Sequence, residues 1–436
     1  MMKKNRTIYF LLALVCLGLQ SCLFQEEDYF DDSSANRATA DVNRCGELLK
    51  AAPNGWVMEY YVGKDYSLGG ITLLCRFDGQ RVTMASQMAE ADETVSSLYS
   101  VKSEQATMLS FDTYNYLVHY FGQPQGSMSD DPNGTLGGDY EFIISSASAE
   151  RIELKGKKYG NRIVMKALSE DQTWKQYLTK IKKVEDDAFF YEYDLLMDGL
   201  YTGQMLRSNY TFIVTYYDEI GKVHQKTVPF MFTADGMRFH EPVTIDGQTM
   251  QNFVWKNEVI SFVCTDEGAT GVKMKGIYID GYQSYDYYPG TYLMDFYRLN
   301  GATNQLEVAS QEIQLVKNED GKSYWLKGLE YDILVTYDKP RGGLSILPQF
   351  LKKVQGGYVY LAMWDLMNDY VLRSSAIGLI SYPTTDGIYL VDNGVWMGEI
   401  SGFIFGVYDS QDEEASFMGY TDAVAAIRLI KKTIEE

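Results

Sequence analysis

Hydrophobic positions change period along the chain, and each change marks an element. Val42, Cys45, Leu48, Leu49 and Ala52 recur at helical spacing, which predicts a helix over residues 33–52 that Pro53-Asn54-Gly55 ends. The period then shortens. Residues 56–61 and 71–77 read as strands around Gly69-Gly70, and Asp78-Gly79 begins a tight turn into residues 81–85, which is a β-meander. Further strands are expected at residues 98–102, 108–111, 140–145, 151–155 and 162–166, with Gly, Asp and Ser in the breaks.

Helical spacing returns once, in Trp174, Tyr177, Leu178, Ile181, Val184 and Ala188, and Ser169 with Gln172 fits a capping box ahead of it. Strands resume at residues 210–217, 225–233, 237–239, 253–255 and 259–264. Tyr216-Tyr217 echoes Tyr60-Tyr61, and Phe232 to Gly236 echoes Phe77-Asp78-Gly79, through duplication of one meander unit or, as favoured here, through shared hairpin chemistry. Residues 358–365 and 387–389 read as strands. Residues 421–436 fit a capped helix or a closing strand, because Ile427 and Leu429 flank Arg428. The pattern predicts a mainly β (α+β) fold: two tandem antiparallel β-meander domains, barrel- or sandwich-like, with a bracing helix between them. The expected order is a leader at 1–21, a tether at 22–40, β domains at 41–168 and 200–436, and the connecting helix at 169–199.

The first residues read as an address. Lys3, Lys4 and Arg6 precede an apolar run from Ile8 to Leu19, 12 residues or about 18 Å as a helix, too short for a hydrocarbon core of about 30 Å. Leu19-Gln20-Ser21-Cys22 resembles a bacterial lipobox, which makes Cys22 the expected lipidated N-terminus and the outer membrane the expected location. Loss of the three leader cations takes the net charge from −20 to −23. Glu26-Glu27-Asp28 and Asp31-Asp32 follow the Cys. This run resembles the surface-export signal of Bacteroidetes lipoproteins, against the plainer reading of a solvated tether. With 39 basic and 59 acidic residues, nucleic acid is discounted as a partner.

Little else in the chain carries chemistry. Cys45, Cys75 and Cys264 show no CxxC, so buried free thiols are expected over a Cys45–Cys75 disulfide. His119, His224 and His240 are far apart and form no HExxH, and neither GxSxG nor a P-loop occurs; no metal, cofactor or catalytic residue is assigned. Asp130, Asp131, Asn133 and Asp139 offer hard oxygen ligands on one loop, but their spacing departs from an EF-hand and suits ordinary turns.

Aromatics make up 14% of the chain, and they concentrate between Ile277 and Tyr297. Tyr282, Tyr285, Tyr287 and Tyr288 lie there beside Gly281 and Pro289-Gly290, so a loop between two strands is expected. Exposed tyrosines present flat faces and a hydroxyl at low entropic cost, which makes these four the candidate ligand-binding residues; packing on a sheet is the competing role.

The segment Asn54 to Tyr61, Gly69-Gly70, Phe77-Asp78-Gly79, Leu109 to Asn115 and Gly138 to Phe142 together resemble a Bacteroidetes lipoprotein family known as a domain of unknown function, DUF4302. The resemblance implies an envelope protein encoded near outer-membrane nutrient transporters, and it supplies no catalytic residues. The expected function is therefore a non-catalytic binding or accessory lipoprotein, anchored by lipid in the outer membrane and facing the cell surface. Its expected partners are a glycan or peptide ligand and a transporter complex. A secreted hydrolase of glycans or peptides and a structural or adhesive surface protein are the alternatives.

Overall fold

The computed structural model describes residues 33–432, apart from 64–65, 125–133, 219 and 413. The leader, Cys22, the acidic run behind it, and Asp130, Asp131 and Asn133 lie outside the described residues. The chain is mainly β, as the periodicity predicts, and its first two β units are closed antiparallel barrels of eight strands each.

The first barrel runs in sequence order from Trp56–Tyr61 to Arg162–Ala167, and these two strands pair to close it. Trp56, Met58 and Tyr60 point inward with Leu73, Cys75, Met84 and Phe142. Val57, Leu74 and Ala85 face outward, yet they are buried in a second cluster shared with the next barrel. A strand buried on both faces loses polar alternation, and in Trp56–Tyr61, buried throughout, Glu59 is the one charged residue. The helix Ser34–Ala51 caps the barrel: Leu49 enters the core and its carbonyl accepts from Trp56 Nε1 at 2.8 Å.

The helix Trp174–Asp187 braces the two barrels, with Leu178, Ile181 and Val184 buried in the shared cluster. Its capping box is Thr173 with Gln176, four residues beyond the expected Ser169 and Gln172. Asn54 Nδ2 donates to the carbonyls of Ser169 and Gln172 at 2.7 and 2.8 Å, which holds those residues against the first barrel and outside the helix.

The second barrel opens with Glu192–Met197 and closes where that strand pairs with Val272–Ile277. Tyr60-Tyr61 lies on the first strand of its barrel and Tyr216-Tyr217 on the third of the other, so the echo does not align the barrels strand for strand.

The region expected as one β domain from 200 to 436 holds a further unit, a 12-stranded sheet from Gly290–Asn300 to Phe417–Lys431. Those two strands also pair with each other, which turns the sheet back on itself. The closing strand has Ile427 and Leu429 buried on either side of half-exposed Arg428; the strand reading is the correct one as far as Lys431, and residues 433–436 lie outside the described residues. Among the described residues no helix is long and apolar enough to cross a membrane.

Candidate functional site

The tyrosine-rich segment connects Val272–Ile277 of the second barrel to Gly290–Asn300 of the third unit. Tyr288 is fully buried and its hydroxyl donates to the Gly342 carbonyl at 2.8 Å. Tyr285 stacks on Tyr324 at 4.7 Å and donates to the Ser323 carbonyl at 2.8 Å. Tyr282 accepts from the Tyr337 hydroxyl at 3.0 Å and stacks on Phe189, just past the bracing helix. Burial pushes the phenol pKa of all three upward. Tyr287 alone of the four is exposed, with the Lys431 ammonium 4.8 Å from its ring centre. The segment is the expected loop, and three of its four candidate rings pack against the protein.

The remaining candidate chemistry is dispersed. His119 stacks on Tyr140, His224 lies 2.9 Å from Asp218 Oδ2, and His240 stacks on Tyr66 at 4.0 Å. Among the described residues no three His, Cys, Asp or Glu side chains gather as metal ligands. Cys45, Cys75 and Cys264 are buried free thiols. Asp139 is committed inside the first barrel: Oδ1 accepts from the backbone of Lys158 and Tyr159 at 2.7 and 3.1 Å, and Oδ2 from Asn161 Nδ2 at 3.1 Å.

A different site emerges in the third unit. The strands Gln349–Val354 and Tyr370–Leu372 both pair with Gly357–Asp365 along the same edge, one beyond the other. Gln349 and Phe350 of the first and Val371 of the second, with Pro348 and Arg373 just beyond them, line a cleft of about 710 Å³. That is within the range of small-molecule sites. Four aromatic rings cross it in a row: Phe350 to Tyr360 at 5.4 Å, Tyr360 to Tyr408 at 5.7 Å, and Tyr408 to Phe417 at 5.5 Å. Register explains the row, since Phe350 pairs with Tyr360, Tyr360 with Gly406, and Tyr408 with Phe417, and paired residues share a face. Gly406 leaves room for it; a Cβ there would stand 2.9 Å from Tyr408 Cε2 and 3.1 Å from Phe417 Cε2.

The Arg373 guanidinium lies 4.7 Å from the Tyr360 ring centre and 4.2 Å from that of Tyr408, close enough for cation–π attraction to both. Its Nη2 donates to the Asp412 carbonyl at 2.5 Å. Ser374, Ser375 and Gln411 add a polar rim. The Tyr408 hydroxyl is buried with no hydrogen-bond partner among the described residues, and burial, opposed by Arg373, raises its pKa. Phe350 and Phe417, at the two ends of the row, are each 45% exposed.

Sequence reasoning missed this cleft. The alternation of Tyr358 and Tyr360 within a predicted strand was the available signal. The pairing that brings Phe350, Tyr408 and Phe417 beside them is non-local.

A family model described as a domain of unknown function (DUF4302) matches residues 26–257, and a second model, also described as a domain of unknown function (DUF4987), matches residues 265–404. No curated protein matches the chain. Among solved structures, one titled as intact Ap-TbpB with its N and C lobes is similar at a TM-score of 0.15 and 10% identity, over 87% of this chain and 76% of that one. A TM-score that low relates neither fold nor function.

Proposed function

This chain belongs to the DUF4302 family, and we propose that it is a cell-envelope lipoprotein that binds a glycan or peptide without transforming it. In this reading lipid on Cys22 anchors it in the outer membrane, its β units face the cell surface, and it serves nutrient capture beside a transporter. The aromatic cleft is the observation that carries the proposal. A concave site with ring faces, one guanidinium and a hydroxyl and amide rim has the equipment of a binding site. Its described lining, which runs from Pro348 to Phe417, contains no carboxylate, His, Cys or Lys. Hydrolysis of glycans needs paired carboxylates, and hydrolysis of peptides needs an activated nucleophile or a metal, so this lining favours binding.

The test has two parts. Thermal unfolding of the protein is followed against panels of glycans and peptides, with wild type compared to Phe350→Ala and Phe417→Ala. A ligand that stabilises wild type but neither variant, and is recovered intact, supports the reading; cleaved ligand overturns it. Cys22→Ser should release the protein from the membrane fraction, and protease added to intact cells should cut the wild type.

A further inference from the structure

We infer that the cleft takes a neutral oligosaccharide; this rests on the cleft being the ligand site and adds the class of ligand. Backbone availability argues first. The floor strands Gly357–Asp365 and Gly402–Tyr408 are each paired along both edges, so among the described strands of the cleft a peptide could add only to the outer edges of Gln349–Val354 and Tyr370–Leu372, away from the floor. What the floor presents is ring faces. A pyranose has an apolar C–H face that lies flat on an aromatic ring, and hydroxyls around its edge that need both donors and acceptors. Phe350 and Phe417 supply the first, and the side chains of Ser374, Ser375 and Gln411 supply the second.

Charge argues next. Arg373 is the one cation among the described lining residues, and it is engaged with two rings and the Asp412 carbonyl. The chain carries a net charge of −20, which repels a polyanionic glycan at long range. The row of four rings is longer than one sugar ring, and its two exposed members stand at opposite ends. The occupant that fits is uncharged, rich in hydroxyls and at least two sugar units long.

The full-length protein in a non-glycosidic detergent is titrated calorimetrically with cellohexaose, xylohexaose, mannohexaose and maltohexaose. Tetragalacturonate serves as the acidic counterpart and a proline-rich dodecapeptide as the peptide probe. A neutral hexaose should bind with an affinity unchanged by salt. Phe350→Ala and Phe417→Ala should each weaken it about tenfold or more, while Tyr201→Ala on the second barrel leaves it unchanged. Phe350→Leu keeps apolar bulk without a flat ring, and should weaken binding while leaving the unfolding midpoint near that of wild type. Preferred binding of tetragalacturonate or the peptide, with the same dependence on Phe350, overturns the neutral saccharide and leaves the cleft as the site. Hexaose binding indifferent to Phe350 and Phe417 overturns the cleft, and binding of no probe overturns both.

Discussion

Arg238 Nη1 donates to both carboxylate oxygens of Glu59, at 2.9 and 2.6 Å, and so ties the second barrel to the first. Lys166 Nζ reaches Glu59 Oε1 at 2.6 Å, and the Tyr61 hydroxyl donates to the Arg238 carbonyl at 3.2 Å. The Glu59 side chain is only 10% exposed, so these partners take the place of the water it loses. Arg238→Met should lower the free energy of unfolding by about 3 kcal/mol, because a buried charge loses its main counterion. Adding Glu59→Met should recover most of that loss, since an apolar pair avoids the desolvation cost and Lys166 is exposed enough to reach water. Urea denaturation of the single and double variants checks this.

Backbone contact across the same interface gives a second prediction. Gly69 has φ of +68°, and a Cβ there would stand 2.3 Å from both Cβ and the carbonyl oxygen of Tyr210. Gly79 also has positive φ, at +108°, but its nearest neighbour is the flexible Lys50 side chain at 3.5 Å. Gly79→Ala should therefore cost about 1 kcal/mol from backbone strain alone. Gly69→Ala should cost at least about 2 kcal/mol, because the barrels must also part. Equal penalties in denaturant titrations would mean that the close approach is absent in solution.

The bracing helix shows how much the sequence discloses and where it stops. The apolar spacing of Trp174 to Ala188 locates the helix, but two Ser/Thr-x-x-Gln patterns compete for its start. Only the tertiary contacts of Asn54 decide between them. The strands of both barrels are legible because hairpin neighbours are also sequence neighbours, and turn residues mark them. The cleft is not legible for the opposite reason. Phe417 meets Tyr408 across a register shift within a strand that, along one edge, changes partner from Gly402–Tyr408 to Gly387–Asp392 near Ala426, a non-glycine residue with φ of +52°. No local pattern announces such a switch. The capping assignment is directly testable: Thr173→Ala should cost about 1 kcal/mol, and Ser169→Ala less than about 0.5 kcal/mol.

Two carboxylates should respond to acid in opposite senses. Asp41 accepts from Thr107 and Arg44, and these bonds hold its pKa below the usual carboxylate value. Its contribution is present above the unfolded pKa of about 3.9 and is lost as pH falls through the lower folded value. Asp139 is shifted upward by burial, against the hydrogen bonds it accepts. Its protonated form is the one the fold prefers, so its contribution is fullest at low pH and declines as pH rises through the folded pKa. The stability difference between wild type and Asp41→Asn should shrink from pH 7 toward pH 3. The difference between wild type and Asp139→Asn should move the other way. Urea titrations at several pH values read both, and parallel trends would contradict the assignment.

The tyrosines of residues 282–288 divide by what their rings touch. Tyr288 is in the core of the third unit, where its hydroxyl satisfies the Gly342 carbonyl and its own carbonyl accepts from the Tyr292 hydroxyl at 2.7 Å. Tyr288→Ala should cost about 3–5 kcal/mol through the cavity it leaves. Tyr288→Phe should cost about 1–2 kcal/mol through the unpaired carbonyl. Tyr287, exposed and lying under the Lys431 ammonium, should tolerate Ala to within about 1 kcal/mol, the worth of one exposed cation–π contact. Chemical denaturation of the three variants separates a packed linker from an exposed binding loop. A linker that holds two β units together predicts steep losses at Tyr288 and almost none at Tyr287, whereas a binding loop predicts small losses at both.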